Sequence, residues 1–145
     1  MEEPRIIEFP KICDRRGNLS FIEGSGADFE GHVPFDIKRV YWIYDVPGGQ
    51  SRGAHAHRTL QQLIVAVSGS FTVTLDDGQE KKEFFLNHPW MGLYVPPGMW
   101  RNIEDFSSGA VCMVLASKHY DESDYIRNYR QFLKFSNERR KNKIS

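Results

Sequence analysis

The chain has 145 residues, and Lys+Arg and Asp+Glu number 19 each, so its formal net charge is zero. That length fits one domain and is too short for two ordinary ones; the expected unit is 1–145, with a core over about 5–135 and a basic tail over 136–145. A hydrophobic fraction of 40% and a charged fraction of 26% exclude wholesale disorder, and the balanced charge argues against nucleic-acid binding, which favours a basic excess.

No stretch approaches the roughly 20 apolar residues that cross a bilayer, and Leu63 to Val67 is only strand-sized. Met1-Glu2-Glu3-Pro4 is acidic and has no apolar core behind it. A cytoplasmic protein with no membrane partner is therefore expected. Cys13 and Cys112 form no CxxC and are expected to be free thiols, Cys112 within the apolar run Ala110 to Leu115.

In chain order, Ile6 to Phe9 is a short apolar piece, Asp14-Arg15-Arg16-Gly17 a turn, and Leu19 to Ile22 its continuation. Gly24 to Pro34 reads as a loop, and Lys38 to Val46, rich in Val, Ile, Tyr and Trp, as a strand ended by Pro47-Gly48-Gly49. Leu63–Val67 and Phe71–Leu75 follow; in the second, Phe71, Val73 and Leu75 alternate with Thr72 and Thr74, the period of a half-buried strand. Asp76-Asp77-Gly78-Gln79 is a hairpin turn, and Lys81–Leu86, Gly92–Val95, Met99–Ile103 and Ala110–Ala116 complete about eight strands. After residue 120 the period changes. Tyr125, Ile126, Tyr129, Phe132 and Leu133 mark a helix with one apolar stripe, Asp121 and Asp124 suit its start, and Glu138 to Lys143 is expected to fray. Short strands with Gly/Pro turns and no βαβ alternation predict an all-β antiparallel barrel or jelly roll with a C-terminal α-helix.

Chemistry concentrates in Gly49-Gln50-Ser51-Arg52-Gly53-Ala54-His55-Ala56-His57. Histidines at i and i+2 on a strand share one face. With Gln62 and Gly69 downstream, the spacing resembles the first motif of the cupin superfamily, in which a Glu usually stands where Gln62 does. Pro96-Pro97-Gly98 resembles part of the second motif, but Arg101 replaces its metal-binding His. Arginine stays cationic and does not ligate metals, and two histidines leave fewer than the three protein ligands usual in catalytic metal sites. No metal is expected; a metal cupin is the reading set against this one. Paired histidines beside an arginine suit proton transfer next to an anion. His32, His88 and His119 read as surface or structural residues.

A closer resemblance rests on Phe35 to Tyr41, Tyr44 to Gly49, Arg52 to His57, Gln61 to Ile64, Ser68 to Phe71 and Leu93 to Trp100. These blocks, in order across about residues 5 to 135, are similar to those of the sugar 3,4-ketoisomerases. That resemblance implies a metal-free and cofactor-free jelly roll acting on dTDP-4-keto-6-deoxyglucose. It implies a homodimer that exchanges N-terminal strands, and a 3-keto product from which an aminotransferase makes a 3-amino-3,6-dideoxyhexose. The family's paired histidines fall on His55 and His57, one as the C3 base and the other as a relay; the resemblance favours His55 as the base, although strand parity does not rank the two. Arg101 is a candidate for stabilising the enediolate or holding the diphosphate. Arg15, Arg16, Arg39 and Arg52 are further diphosphate candidates, Tyr41, Tyr44 and Trp100 are candidates to stack on thymine or line the pocket, and Gln62 is a candidate binding residue. The readings set against this one are a dTDP-sugar 3,5-epimerase and a non-catalytic nucleotide-sugar-binding module.

Overall fold

The structure, a computed structural model, describes residues 2 to 144; Met1 and Ser145, the ends of the expected domain, lie outside them. Strands β1 (Arg5–Glu8), β2 (Lys11–Asp14) and β3 (Gly17–Ser20) precede the Gly/Pro loop. Then come β4 (Arg39–Ile43), β5 (Arg52–His57), β6 (Gln62–Ser68), β7 (Phe71–Asp76) and β8 (Lys81–Leu86). After these follow β9 (Met91–Val95), β10 (Trp100–Glu104), β11 (Val111–Ala116), a 3-10 turn at Glu122–Asp124, β12 (Tyr125–Ile126) and helix α1 (Tyr129–Ile144).

Two five-stranded sheets, ordered β1-β9-β6-β11-β4 and β12-β5-β10-β7-β8, make a jelly roll; β2 and β3 form a separate hairpin. The alternation of side chains sets what lies between the sheets. From β6, Ile64 and Ala66 turn inward to meet Val73 and Leu75 of β7, Ile103 of β10 and Val114 of β11. Leu63 and Val65 turn outward and are covered by Phe9, Val33 and Phe35 of the N-terminal segment and loop. β6 is thus apolar on both faces, and so it reads as a continuous run rather than an alternating one.

The C-terminal segment departs from the expectation. Tyr125 and Ile126 are not helical but form β12, paired with His57 and Ala56 of β5. The helix starts later, at an Asn128 cap whose Oδ1 accepts from Gln131 N at 3.1 Å. It continues through the stretch expected to fray and to form the tail. Ser136 Oγ donates to Asp77 O at 2.6 Å, tying the helix to the β7–β8 turn, and buried Phe132 packs with Ala56 and Ile126. The strand expected over Lys38 to Val46 stops at Ile43; Asp45, two residues on, has φ 56, outside the extended region.

Candidate active site

The inward faces of the strands at the open side of the barrel carry polar residues where the rest of the interior is apolar. Arg39 and Tyr41 come from β4, His55 and His57 from β5, Gln62 from β6 and Arg101 from β10. On β5 a bulge sets the phase. Arg101 pairs with His55 and Ile103 with Arg52, so β5 has one residue more than β10 over this stretch, and Gly53 at φ 77 takes it up. Beyond the bulge Ala56 faces α1 while His55 and His57 face the interior, their Nε2 atoms 3.1 Å apart.

The contacts form one network. Arg101 Nη2 lies 2.9 Å from His55 Nε2 and donates to Tyr41 Oη at 3.2 Å. Gln62 Nε2 also donates to Tyr41 Oη, at 3.1 Å. With both acceptor sites of that hydroxyl used, its own proton is left to donate. The Tyr125 ring lies 4.9 Å from that of His55 and 4.3 Å from that of His57.

Electrostatically the site is poised for an anion. Arg101 is only 2% exposed, and no carboxylate pairs with it among the described residues. Arg101 Nε and Nη1, Arg39 Nε and His57 Nδ1 are buried without a hydrogen-bond partner. Such groups are costly to leave unpaired, and a bound anion is what the cationic ones lack. Burial, reinforced by Arg101, pushes His55 down to about 3 and His57 to about 2, so both rings are neutral near pH 7.

A cavity of about 490 Å³ opens onto this network, lined among others by Arg39, Tyr41, Arg52, His55, Arg101 and Arg127. His57 does not line it and lies behind His55. A neighbouring cleft of about 510 Å³ shares Trp42, Ile43, Ser51 and Arg52 with the cavity and adds Tyr44 and Gln50. Together they give one elongated site with cations at its centre.

Among the residues singled out in the sequence, His55, Arg39, Tyr41, Arg52 and Arg101 meet at the cavity and Tyr44 at the neighbouring cleft. Gln62 is buried and reaches the cavity only through Tyr41. The structure puts Trp100 elsewhere. It alternates with Arg101 on β10 and therefore faces outward, with ring centroids 5.2 Å from Tyr129 and 5.7 Å from Phe132. Arg15 and Arg16 sit at the exposed tip of the β2–β3 hairpin and do not line the cavity, with Arg16 paired to Asp14 at 2.7 Å. Of the residues that sequence reasoning missed, Tyr120, Tyr125 and Arg127 line the cavity. Glu122 accepts from Arg127 Nε at 2.7 Å and Nη2 at 2.9 Å, and that pairing holds its carboxyl down at about 2. Asp124 faces His57. Tyr120 directly precedes the segment read as the start of a helix and the other four lie in it; the signal lay in the pair of aromatic residues flanking an acidic cluster, a composition unlike a plain helix start. Among the described residues no group of three or more His, Cys, Asp or Glu is arranged to hold a metal ion.

A family model described as WxcM-like, C-terminal matches residues 2–137. The TDP-4-oxo-6-deoxy-α-D-glucose-3,4-oxoisomerase of Aneurinibacillus thermoaerophilus is 49% identical over 133 residues, 92% of each chain. Among solved structures, a histidine-to-asparagine mutant of the 3,4-ketoisomerase QdtA from Thermoanaerobacterium thermosaccharolyticum, in complex with TDP-4-keto-6-deoxyglucose, is 40% identical. It superposes with a TM-score of 0.89, covering 96% of this chain and 97% of that one. The WlaRB TDP-quinovose 3,4-ketoisomerase from Campylobacter jejuni is 42% identical with a TM-score of 0.84, covering 92% of this chain and 99% of that one. The chain belongs to this WxcM-like family, the family of the TDP-sugar 3,4-ketoisomerases.

Proposed function

We propose that the chain moves the carbonyl of TDP-4-keto-6-deoxyglucose from C4 to C3, with His55 as the base. The observation that carries this reading is the neutral His55 at the cavity wall, beside the unpaired Arg101 guanidinium and a Tyr41 hydroxyl whose own proton is free to donate. The C4 ketone acidifies the hydrogen on C3. His55 takes that proton, and the electron pair passes through C3 and C4 onto O4, giving an enediolate. Tyr41 and Arg101, both in contact with the His55 network, are the donors this reading assigns to the enediolate oxygens. As O3 gives up its proton and O4 gains one, the proton held by the histidines returns to C4. Oxidation at C3 balances reduction at C4, so the net reaction needs no redox cofactor. The 3-keto product suits an aminotransferase that installs a 3-amino group.

His57 is the relay behind His55. Arg39, Arg52 and Arg127 at the mouth suit the diphosphate, which arginine grips with paired hydrogen bonds. The cleft at Trp42 and Tyr44 suits the nucleoside. The working unit is one domain, and a cytoplasmic setting accords with free Cys13 and Cys112.

A homodimer accords with the outer surface. Ile12 and Leu19 of the hairpin are 54% and 56% exposed, and Val40 and Trp42 of edge strand β4 are 45% and 58% exposed. A second copy would cover them. Exchange of N-terminal strands would make across the dimer the β1–β9 pairing that one chain makes with itself.

Two variants test the site. His55→Asn is expected to fold and to lower kcat by about 10²–10⁴-fold, the usual range for a lost general base. Tyr41→Phe is expected to lower kcat while binding of TDP stays near normal. Near-normal turnover in either removes that residue from the chemistry.

A further inference from the structure

His57 is 4% exposed, and its Nδ1 is buried with no hydrogen-bond partner. Asp124 Oδ2 stands 3.6 Å from that nitrogen. The carboxylate is held in place: Oδ1 accepts from Thr59 N at 2.9 Å and from Thr59 Oγ1 at 2.7 Å, and Oδ2 accepts from Leu60 N at 3.2 Å. A carboxylate only accepts, so it favours a proton on the imidazole nitrogen that faces it. At the other end of the network, a guanidinium only donates, so Arg101 at 2.9 Å makes His55 Nε2 an acceptor. These two charged groups act on opposite ends of one histidine pair. If His57 carries its proton on Nδ1 and His55 accepts from Arg101, neither Nε2 carries a hydrogen: across 3.1 Å the His57 lone pair is bare and the His55 lone pair is met only by the Arg101 donor.

We infer that Asp124 is a positioning residue: it keeps the His57 proton on Nδ1, so that the histidine pair holds one vacant proton position between its two Nε2 atoms. This rests on the reading of His55 as the C3 base. The proton leaving C3 bonds to His55 Nε2, displacing the Arg101 hydrogen bond there, and His57 Nε2 accepts from the new N–H across 3.1 Å, while the C–H electron pair enters the enediolate. The pair gains one positive charge as the substrate gains one negative charge, and both are cancelled when C4 is protonated. No oxidant or reductant takes part. The burial that keeps the resting rings neutral is offset in the intermediate by a short N–H···N bond and the enediolate charge nearby. An Asp124 that served only as a staple for Thr59 and Leu60 would leave the His57 proton indifferent to its charge.

Asp124→Asn separates these roles. Its side-chain oxygen can still accept from Thr59, while its amide nitrogen would donate to His57 Nδ1 and force the ring proton to Nε2. The probe is ¹⁵N NMR of ring-labelled histidine in the full chain, with steady-state kinetics on the same samples. In the unaltered chain His57 is expected to carry its proton on Nδ1. In Asp124→Asn the tautomer is expected to reverse, with kcat lowered at least about 100-fold, as for a histidine held in the wrong tautomer, and KM little changed. A His57 proton on Nε2 in the unaltered chain overturns the inference, and so does Asp124→Asn with an unchanged tautomer or normal kcat. If the variant does not fold, the spectrum of the unaltered chain decides alone. The tautomer needs no substrate to be read, so a wrong substrate assignment would leave that result intact.

Discussion

A histidine in water titrates near 6.5; inside this barrel burial, then Arg101, push His55 down to about 3 and His57 to about 2. Two consequences follow for pH. The acid limb of kcat/KM, which reports the free enzyme, is expected well below pH 6.5, and a limb centred near 6.5 would contradict neutral buried histidines. Stability moves with the same groups. Between the unfolded value near 6.5 and the depressed folded values, the unfolded chain binds protons that the folded chain refuses. The neutral pair therefore contributes its full stability above pH 6.5, and that contribution is lost as pH falls toward the folded values. Thermal melting from about pH 7 to about pH 5 is expected to show a falling Tm, with a shallower fall in His55→Asn than in the unaltered chain. Arg101 supplies a fixed cation beside the histidines, and an Arg101→Lys variant would keep the charge but lose the planar fork that reaches Tyr41 and His55 together.

At the scale of elements, β10 shows how one alternation divides the labour. Arg101 is buried in the site and Trp100 points the other way, under α1. Trp100 is half-buried, so Trp100→Ala is expected to lower Tm, by less than the roughly 3–5 kcal/mol typical of large aromatic truncations in cores, and to leave the KM of the sugar nucleotide nearly unchanged. A raised KM with unchanged Tm would return Trp100 to the binding site. The strand-turn-strand pattern, the hairpin at Asp76–Gln79 and the shared face of His55 and His57 were legible in the sequence, because each depends on local period or turn chemistry. The segment after residue 120 was not. Tyr125 and Ile126 satisfy a helical stripe taken by themselves, but β5 offers them an unpaired edge at His57 and Ala56, and strand pairing won there. Asp124 was misread for the same reason. Its role depends on Thr59, Leu60 and His57, more than sixty residues away for each, and no local pattern carries such a contact. Trp100 was misplaced because alternation gives two faces without saying which one lies inside.

For the whole molecule, the site lies at the open side of the barrel, between edge strand β4 and the β5–β12 edge, so access is built into the topology. The same edge carries exposed Val40 and Trp42. Sedimentation or light scattering is expected to give a dimer, and Trp42→Glu to shift it toward monomer; a monodisperse monomer at micromolar concentration would remove the exchange of N-terminal strands. The most direct measurement is a proton NMR time course of the purified protein with TDP-4-keto-6-deoxyglucose, with EDTA present. The expected result is a new 3-keto species, formed at a rate the chelator does not change and absent with His55→Asn. A carbonyl that stays at C4 while the hydrogens at C3 and C5 exchange with solvent, or a folded protein that leaves the sugar untouched, would contradict it.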